Sequence, residues 1–114
     1  MSKEARTNNN TLHPLLKKRW SPRAFLDKKV EPQKLRNILE AARWSPSASN
    51  IQPWIFFVGE NGDEAYSRIF DTLVEFNQKW AKFAPVLILA CGKTTNAEGS
   101  PNKAWMYDTG QSVA

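Results

Sequence analysis

The sequence predicts a single domain in which helices surround a small β-sheet. Three observations carry that reading. Leu35, Ile38, Leu39 and Ala42 recur at the spacing of one helix face. Two short runs, "WIFFVG" and "VLILAC", are apolar and rich in strand-forming residues. Between them lies "GDEAYSRIFDTLVEFNQKWAKF", helical by composition. A length of 114 residues suits one domain, and 41% hydrophobic residues suit a globular one. At that size folding buries roughly two-thirds of the unfolded surface, enough for one modest core.

Each element follows in order. Residues 1–11 are polar and are predicted to be a flexible N-terminus, with 12–114 forming one domain. "TLHPLLKKRW" suggests a short helix with Thr11 as its cap, and His13, the sole histidine, is expected to be solvated. A helix then runs through "EPQKLRNILEAARW", with Pro32 in its first turn. Pro46 disfavours helical geometry at Ser45, so "SPSASNIQP" is a loop. Trp54 to Gly59 reads as a largely buried strand. The helical stretch after it is broken once, and "VLILAC" is a second buried strand. "GKTTNAEGSPNK" is a loop rich in turn formers, and "KAWMYDTGQSVA" opens a further helix. No Gly, Asn or Pro ends that helix, and two strands make a poor sheet, so the chain is expected to be the first part of a longer domain.

Charge and cysteine content narrow the functional classes. The net charge of +5 favours anionic partners without choosing among phosphates, nucleic acid and acidic lipid. The single cysteine, Cys91, excludes an internal disulfide and suits a reducing cytoplasm. Its apolar surroundings point to a packing role, not a reactive thiol. The chain shows neither a signal-peptide layout nor a membrane-spanning apolar run, and is expected to be soluble and cytoplasmic.

Three constellations could carry chemistry. In "RWSPRAF", an extended segment would turn Arg19, Ser21 and Arg23 to one side, offering two guanidinium forks and a hydroxyl to one anion. The alternative is a solvated basic turn. In "SPSASNIQPW", Ser45, Ser47, Ser49, Asn50 and Gln52 both donate and accept, as the rim of a planar heterocycle requires. The alternative is an ordinary capping loop. In "EFNQKWAKF", Asn77 and Lys79, with Trp80 between polar flanks, could touch the same ligand. The alternative is a polar helix face with Trp80 and Phe83 in the core. There is no glycine-rich phosphate loop, dinucleotide fingerprint, Cys/His metal cluster or Ser–His–acid set. An enzyme built from these residues needs a cofactor to carry the reaction.

The three constellations occur together, in this order, in one family. The chain resembles the N-terminal half of the nitroreductase-like flavoproteins through "HPLLKKRWSPRAF", "EAARWSPSASNIQPWIFFV", "FNQKWAKFAPVLILA" and "YDTGQSVA". The resemblance implies an α+β fold, a central sheet flanked by helices, assembled as an intertwined homodimer with FMN at the interface. By matching position, Arg19, Ser21 and Arg23 would hold the phosphate and ribityl end of FMN. Pro46, Ser47, Ala48 and Asn50 would lie along the flavin ring, partly reaching it from the partner subunit, with Gln52 nearby. Asn77 would meet the polar edge of the ring or the ribityl chain, and Lys79 and Trp80 are further candidates. The family moves hydride from NADH or NADPH through the flavin to nitroaromatics, quinones or similar small-molecule acceptors, and no side chain here is assigned as a catalytic acid. No nucleic-acid or membrane partner is implied.

The family's domain is considerably longer than this chain. Its second half supplies further strands, a wall against the flavin and a remote basic residue for the phosphate. Residues 1–114 by themselves are therefore expected not to hold FMN tightly. Two other classes compete: a small basic nucleic-acid-binding module, and a non-catalytic remnant pairing through an exposed sheet edge. The acidic residues interleaved with the basic ones argue against a continuous nucleic-acid stripe.

Overall fold

The structure, a computed structural model, describes residues 11–114. The expected flexible N-terminus falls, but for Thr11, outside them. The first helix, α1 (Pro14–Lys18), is capped by His13, whose Nδ1 accepts the Leu15 amide at 3.3 Å. The cap is therefore His13 and not Thr11. A proline at the first helical position leaves the residue before it as the cap, and the imidazole supplies the acceptor. Helix α2 (Pro32–Arg43) opens on Pro32 as expected.

Strands β1 (Trp54–Glu60) and β2 (Val86–Gly92) pair antiparallel in a two-stranded sheet, with Trp54 opposite Gly92 and Glu60 opposite Val86. Helices α3 (Glu64–Asp71) and α4 (Glu75–Ala81) form the connection between them, and the predicted single break falls between the two. Helix α5 (Trp105–Val113) follows the turn-rich loop. Side chains alternate across the sheet. Phe57 and Leu89 face α3, while Phe56, Ile88 and Ala90 face α2 and α5.

The strands are less buried than their sequences suggest. Phe57 is 53% exposed and Ile88 40%. Apolar runs of this kind belong in a sheet covered on both faces by neighbouring elements, and here the helices cover each face only in part. Cys91, expected to be buried, is half-buried for the same reason.

The core sits where α3, α4 and the start of β2 meet, on Tyr66, Ile69, Ala81 and Ala84. Asp63 caps α3, its Oδ1 accepting the Tyr66 amide at 2.6 Å and its Oδ2 accepting the Glu60 amide at 3.0 Å. Those two bonds favour the ionised form and hold the Asp63 carboxyl below its ordinary pKa. The Tyr66 hydroxyl is shared between the Ala81 carbonyl at 3.0 Å and the Ala84 carbonyl at 2.9 Å. It closes the end of α4 onto β2. Replacing Tyr66 with phenylalanine should cost about 1–2 kcal/mol, because a buried donor is lost and its acceptors stay behind. Denaturant unfolding would measure this, and an unchanged midpoint would show that the bond contributes nothing net.

Candidate functional site

The basic turn is docked on α4. The chain leaves α1 in an extended conformation at Arg19 (φ −66°, ψ 129°), and residues 19–25 adopt neither helix nor strand. Two aromatic contacts fix the segment. The Arg23 guanidinium lies over the Phe76 ring, 5.5 Å from its centroid. Phe25 stacks on Trp80 with centroids 6.3 Å apart. Phe76 and Trp80 are four positions apart on one face of α4, which is what lets them hold the turn at two points. Asn77, half-buried, follows Phe76. The fold thus brings Arg23 and Asn77 to the same helix, from positions 54 residues apart in sequence.

The availability of these groups differs. Among the described residues Arg23 enters no ion pair, so its in-plane N–H groups are not committed to a carboxylate. Ser21 and Arg19 are exposed. Lys79 instead pairs with Glu75 at 3.6 Å along the exposed side of α4. The Trp80 indole nitrogen is buried without a hydrogen-bond partner.

The second constellation lies elsewhere in the protomer. Between α2 and β1 the chain makes a short 3-10 turn, Ala48–Asn50. Ser49, Asn50 and Gln52 all have left-handed backbones, with φ of 51°, 51° and 52°. Three such non-glycine residues in four positions are costly unless the surroundings impose them. The surroundings do. Ser47 Oγ accepts the Gln52 amide at 2.9 Å, and the Pro53 carbonyl accepts the Lys93 amide at 2.8 Å. Asp108 Oδ2, from α5, accepts the Ala48 amide at 3.0 Å. Pro53 is fully buried, whereas Pro46, Ala48, Asn50 and Gln52 are exposed. Among the described residues no hydrogen bond joins this loop to α4.

Asp108 lies in "YDTGQSVA", one of the segments that carry the resemblance, but no role attaches to it there, because an acidic residue in a first helical turn is an ordinary helix feature. Its burial, 4% exposed, is what separates it from the rest.

A second arrangement precedes the loop. Arg43 Nε and Nη2 donate to the two Glu40 oxygens at 2.9 and 2.8 Å, and the Trp44 indole donates to Glu40 Oε1 at 2.9 Å. The Arg43 and Trp44 bonds draw the Glu40 pKa down from 4.5 to about 2. The contact therefore stabilises the end of α2 above about pH 4.5 and is lost as pH falls towards about 2. An acid titration followed by tryptophan emission should show a step in that window, absent in Glu40→Gln. The step's persistence in that variant would assign it to another group.

An open apolar groove of about 500 Å³ is lined by Ile38, Ala42, Trp44, Phe56, Ile88 and Val113, among others. None of the nine residues proposed for FMN lines it, so hollow size does not mark the ligand site here. The chemistry of the donor set marks it better. Guanidinium, hydroxyl and amide groups gathered at the turn and α4 fit a phosphate and a polyol. The mixed donors and acceptors of the 47–52 loop fit a polar-edged ring. FMN has these parts, and the residues present fit it.

Comparison with known proteins bears on the same segments. The profile of the nitroreductase family matches residues 16–79, from α1 through most of α4. Nitrobenzene nitroreductase of Ectopseudomonas oleovorans is 41% identical over 61 residues, 54% of this chain and 26% of that protein. The major NAD(P)H-flavin oxidoreductase of Aliivibrio fischeri is 36% identical over 85 residues, 72% of this chain and 38% of that protein. Among solved structures, an oxidoreductase containing FMN superposes with a TM-score of 0.86 at 36% identity, covering 98% of this chain and 59% of that one. The chain spans less than two thirds of the length of these relatives.

Proposed function

The chain belongs to the nitroreductase family, and from that premise we propose that it is an FMN-dependent oxidoreductase acting as a homodimer. When bound, FMN supplies the redox chemistry, accepting hydride from NADH or NADPH and passing electrons to a nitroaromatic, quinone or similar acceptor. The chain's own residues bind and orient. Arg19, Ser21 and Arg23 hold the phosphate and ribityl end. Asn77 hydrogen-bonds the polar edge of the ring or the ribityl chain. Pro46, Ser47, Ala48 and Asn50 line the ring of a site shared with the second protomer, with Gln52 nearby. The observation that carries this reading is the docking of Arg23 on Phe76, beside Asn77. The contact brings a guanidinium that enters no ion pair among the described residues against the helix that carries Asn77, within the segment that matches the family.

The homodimer is supported by the uncovered apolar side chains of the sheet and helices, among them Phe57, Trp44 and Phe83. Homologues carrying FMN and NAD(P)H in their names support the cofactor and the donor. The free thiol Cys91 agrees with a cytoplasmic location. The test is a titration with FMN of the protein completed by a family-like second half, followed by flavin fluorescence, with NADPH absorbance and sedimentation measured alongside. Saturable FMN uptake by a dimer is expected. A protein that takes up no FMN at any concentration overturns the proposal.

A further inference from the structure

We propose that Asp108 is the positioning residue of the 47–52 loop, acting on the flavin only through that loop. The inference rests on the functional reading above. Its physical basis is a buried carboxylate whose hydrogen bond joins positions 60 residues apart in sequence. Asp108 is 4% exposed, and its Oδ2 accepts the Ala48 amide at 3.0 Å. Ala48 is the first residue of the 3-10 turn, so its N–H has no partner within the turn. Asp108 also lies in the first turn of α5, where the backbone amides favour a negative charge. One carboxylate therefore serves the N-terminal ends of two helical segments.

What it holds is a strained conformation. Ser49, Asn50 and Gln52 keep left-handed backbones just downstream of Ala48. Such residues persist only where neighbouring structure imposes them, and they cluster where a ligand is to be met by a pre-set surface. The exit of the loop is pinned by buried Pro53 and the Lys93 amide, and Ser47 Oγ closes it internally on Gln52. At the entry, Asp108 is the brace that comes from outside the loop. Without it, Ser49, Asn50 and Gln52 relax towards ordinary backbone angles, and the polar groups of the loop no longer meet the ring in a fixed register. A group that fixes polar contacts to a flavin sets both its affinity and its reduction potential.

The experiment has two arms. In the FMN-free protein, amide exchange at Asn50 and Ile51, whose N–H groups donate to Ser47 and Ala48 carbonyls, reports the turn itself. Asp108→Ala should speed exchange there, and Asp108→Asn, which keeps an acceptor oxygen, should restore protection. In the FMN-loaded protein completed by a family-like second half, Asp108→Ala should weaken binding about tenfold, as expected for a lost charged hydrogen bond. The midpoint potential should move towards that of free FMN. Arg23→Ala is the comparator: it weakens binding and leaves exchange at Asn50 and Ile51 unchanged. If Asp108→Ala fails to fold, Ala48→Pro removes the same donor with Asp108 in place, since the extended Ser47 (ψ 151°) accepts a following proline. Unchanged exchange in the substituted, FMN-free protein overturns this inference alone. Faster exchange with an unchanged potential reduces Asp108 to a structural brace and overturns its role towards the flavin. A wild-type protein that binds no FMN overturns the functional reading, while the exchange arm still tests the brace.

Discussion

Alanine at Gly59 is expected to destabilise the fold severely. Gly59 lies at the end of β1, where α3 crosses it, and a Cβ there would fall on the backbone nitrogen and Cα of Tyr66 and 2.8 Å from the Ala65 carbonyl carbon. Those atoms belong to the first turn of α3 and cannot rotate away as a side-chain tip could. To admit a methyl group, α3 must lift from the sheet. That movement breaks the Asp63 cap and draws the Tyr66 hydroxyl away from Ala81 and Ala84. Overpacking of this kind typically costs about 1–3 kcal/mol, occasionally more. With the core joint itself disturbed, the upper end of that range or beyond is expected. A domain whose whole stability is about 5–15 kcal/mol loses a large share of it. Chemical denaturation of the Gly59→Ala protein is the measurement. An unfolding midpoint matching the parent would mean that α3 sits further from β1 than the structure places it. Gly92 provides the contrast. Its added Cβ would meet the side chains of Trp105 and Thr109, which can shift, so Gly92→Ala should be the milder change.

The second large effect concerns affinity. In the protein completed by a family-like second half, Arg19→Ala and Arg23→Ala should each weaken FMN binding about tenfold or more, because a charged hydrogen bond is worth about 1.5–3 kcal/mol. The two should act together on one phosphate, so their combined loss need not be the sum. Ser21→Ala should cost less, about 1 kcal/mol. Arg23→Lys separates charge from geometry. Lysine keeps the charge but loses the planar fork and the flat contact on Phe76, so it should recover only part of the affinity. Flavin fluorescence titrations of each variant give the result. Unchanged affinity in both arginine-to-alanine proteins would return the segment to a solvated basic turn.

Local chemistry was the legible part of this sequence. Pro32 at the start of α2, the apolar spacing of Leu35, Leu39 and Ala42, and the break between α3 and α4 are decided by neighbours within a few positions. The strands were placed correctly for the same reason. Their burial was misjudged, because exposure at Phe57 and Ile88 depends on what covers the sheet and not on the strand. The site divides along the same line. Arg19, Ser21, Arg23 and the 45–52 loop stood out by residue type. The docking of Arg23 on Phe76 and the bond from Asp108 to Ala48 link distant positions, and nothing in either local pattern announces them. The left-handed backbones at Ser49, Asn50 and Gln52 were equally hidden, since serine and glutamine are not the residues that usually signal such angles.

The bond between Ala48 and Asp108 spans 60 positions, and that separation sets an order of events in the cell. Ribosomes add about 5–20 residues per second, so the loop leaves the ribosome about 3–12 seconds ahead of the carboxylate that fixes it. During that interval the nascent chain carries a slack, protease-accessible loop between α2 and β1. Nascent chains stalled before residue 108 should be cleaved readily within residues 45–52, and chains stalled after α5 has cleared the exit tunnel should resist. Equal cleavage at both stall points would mean that the loop sets without its distant partner.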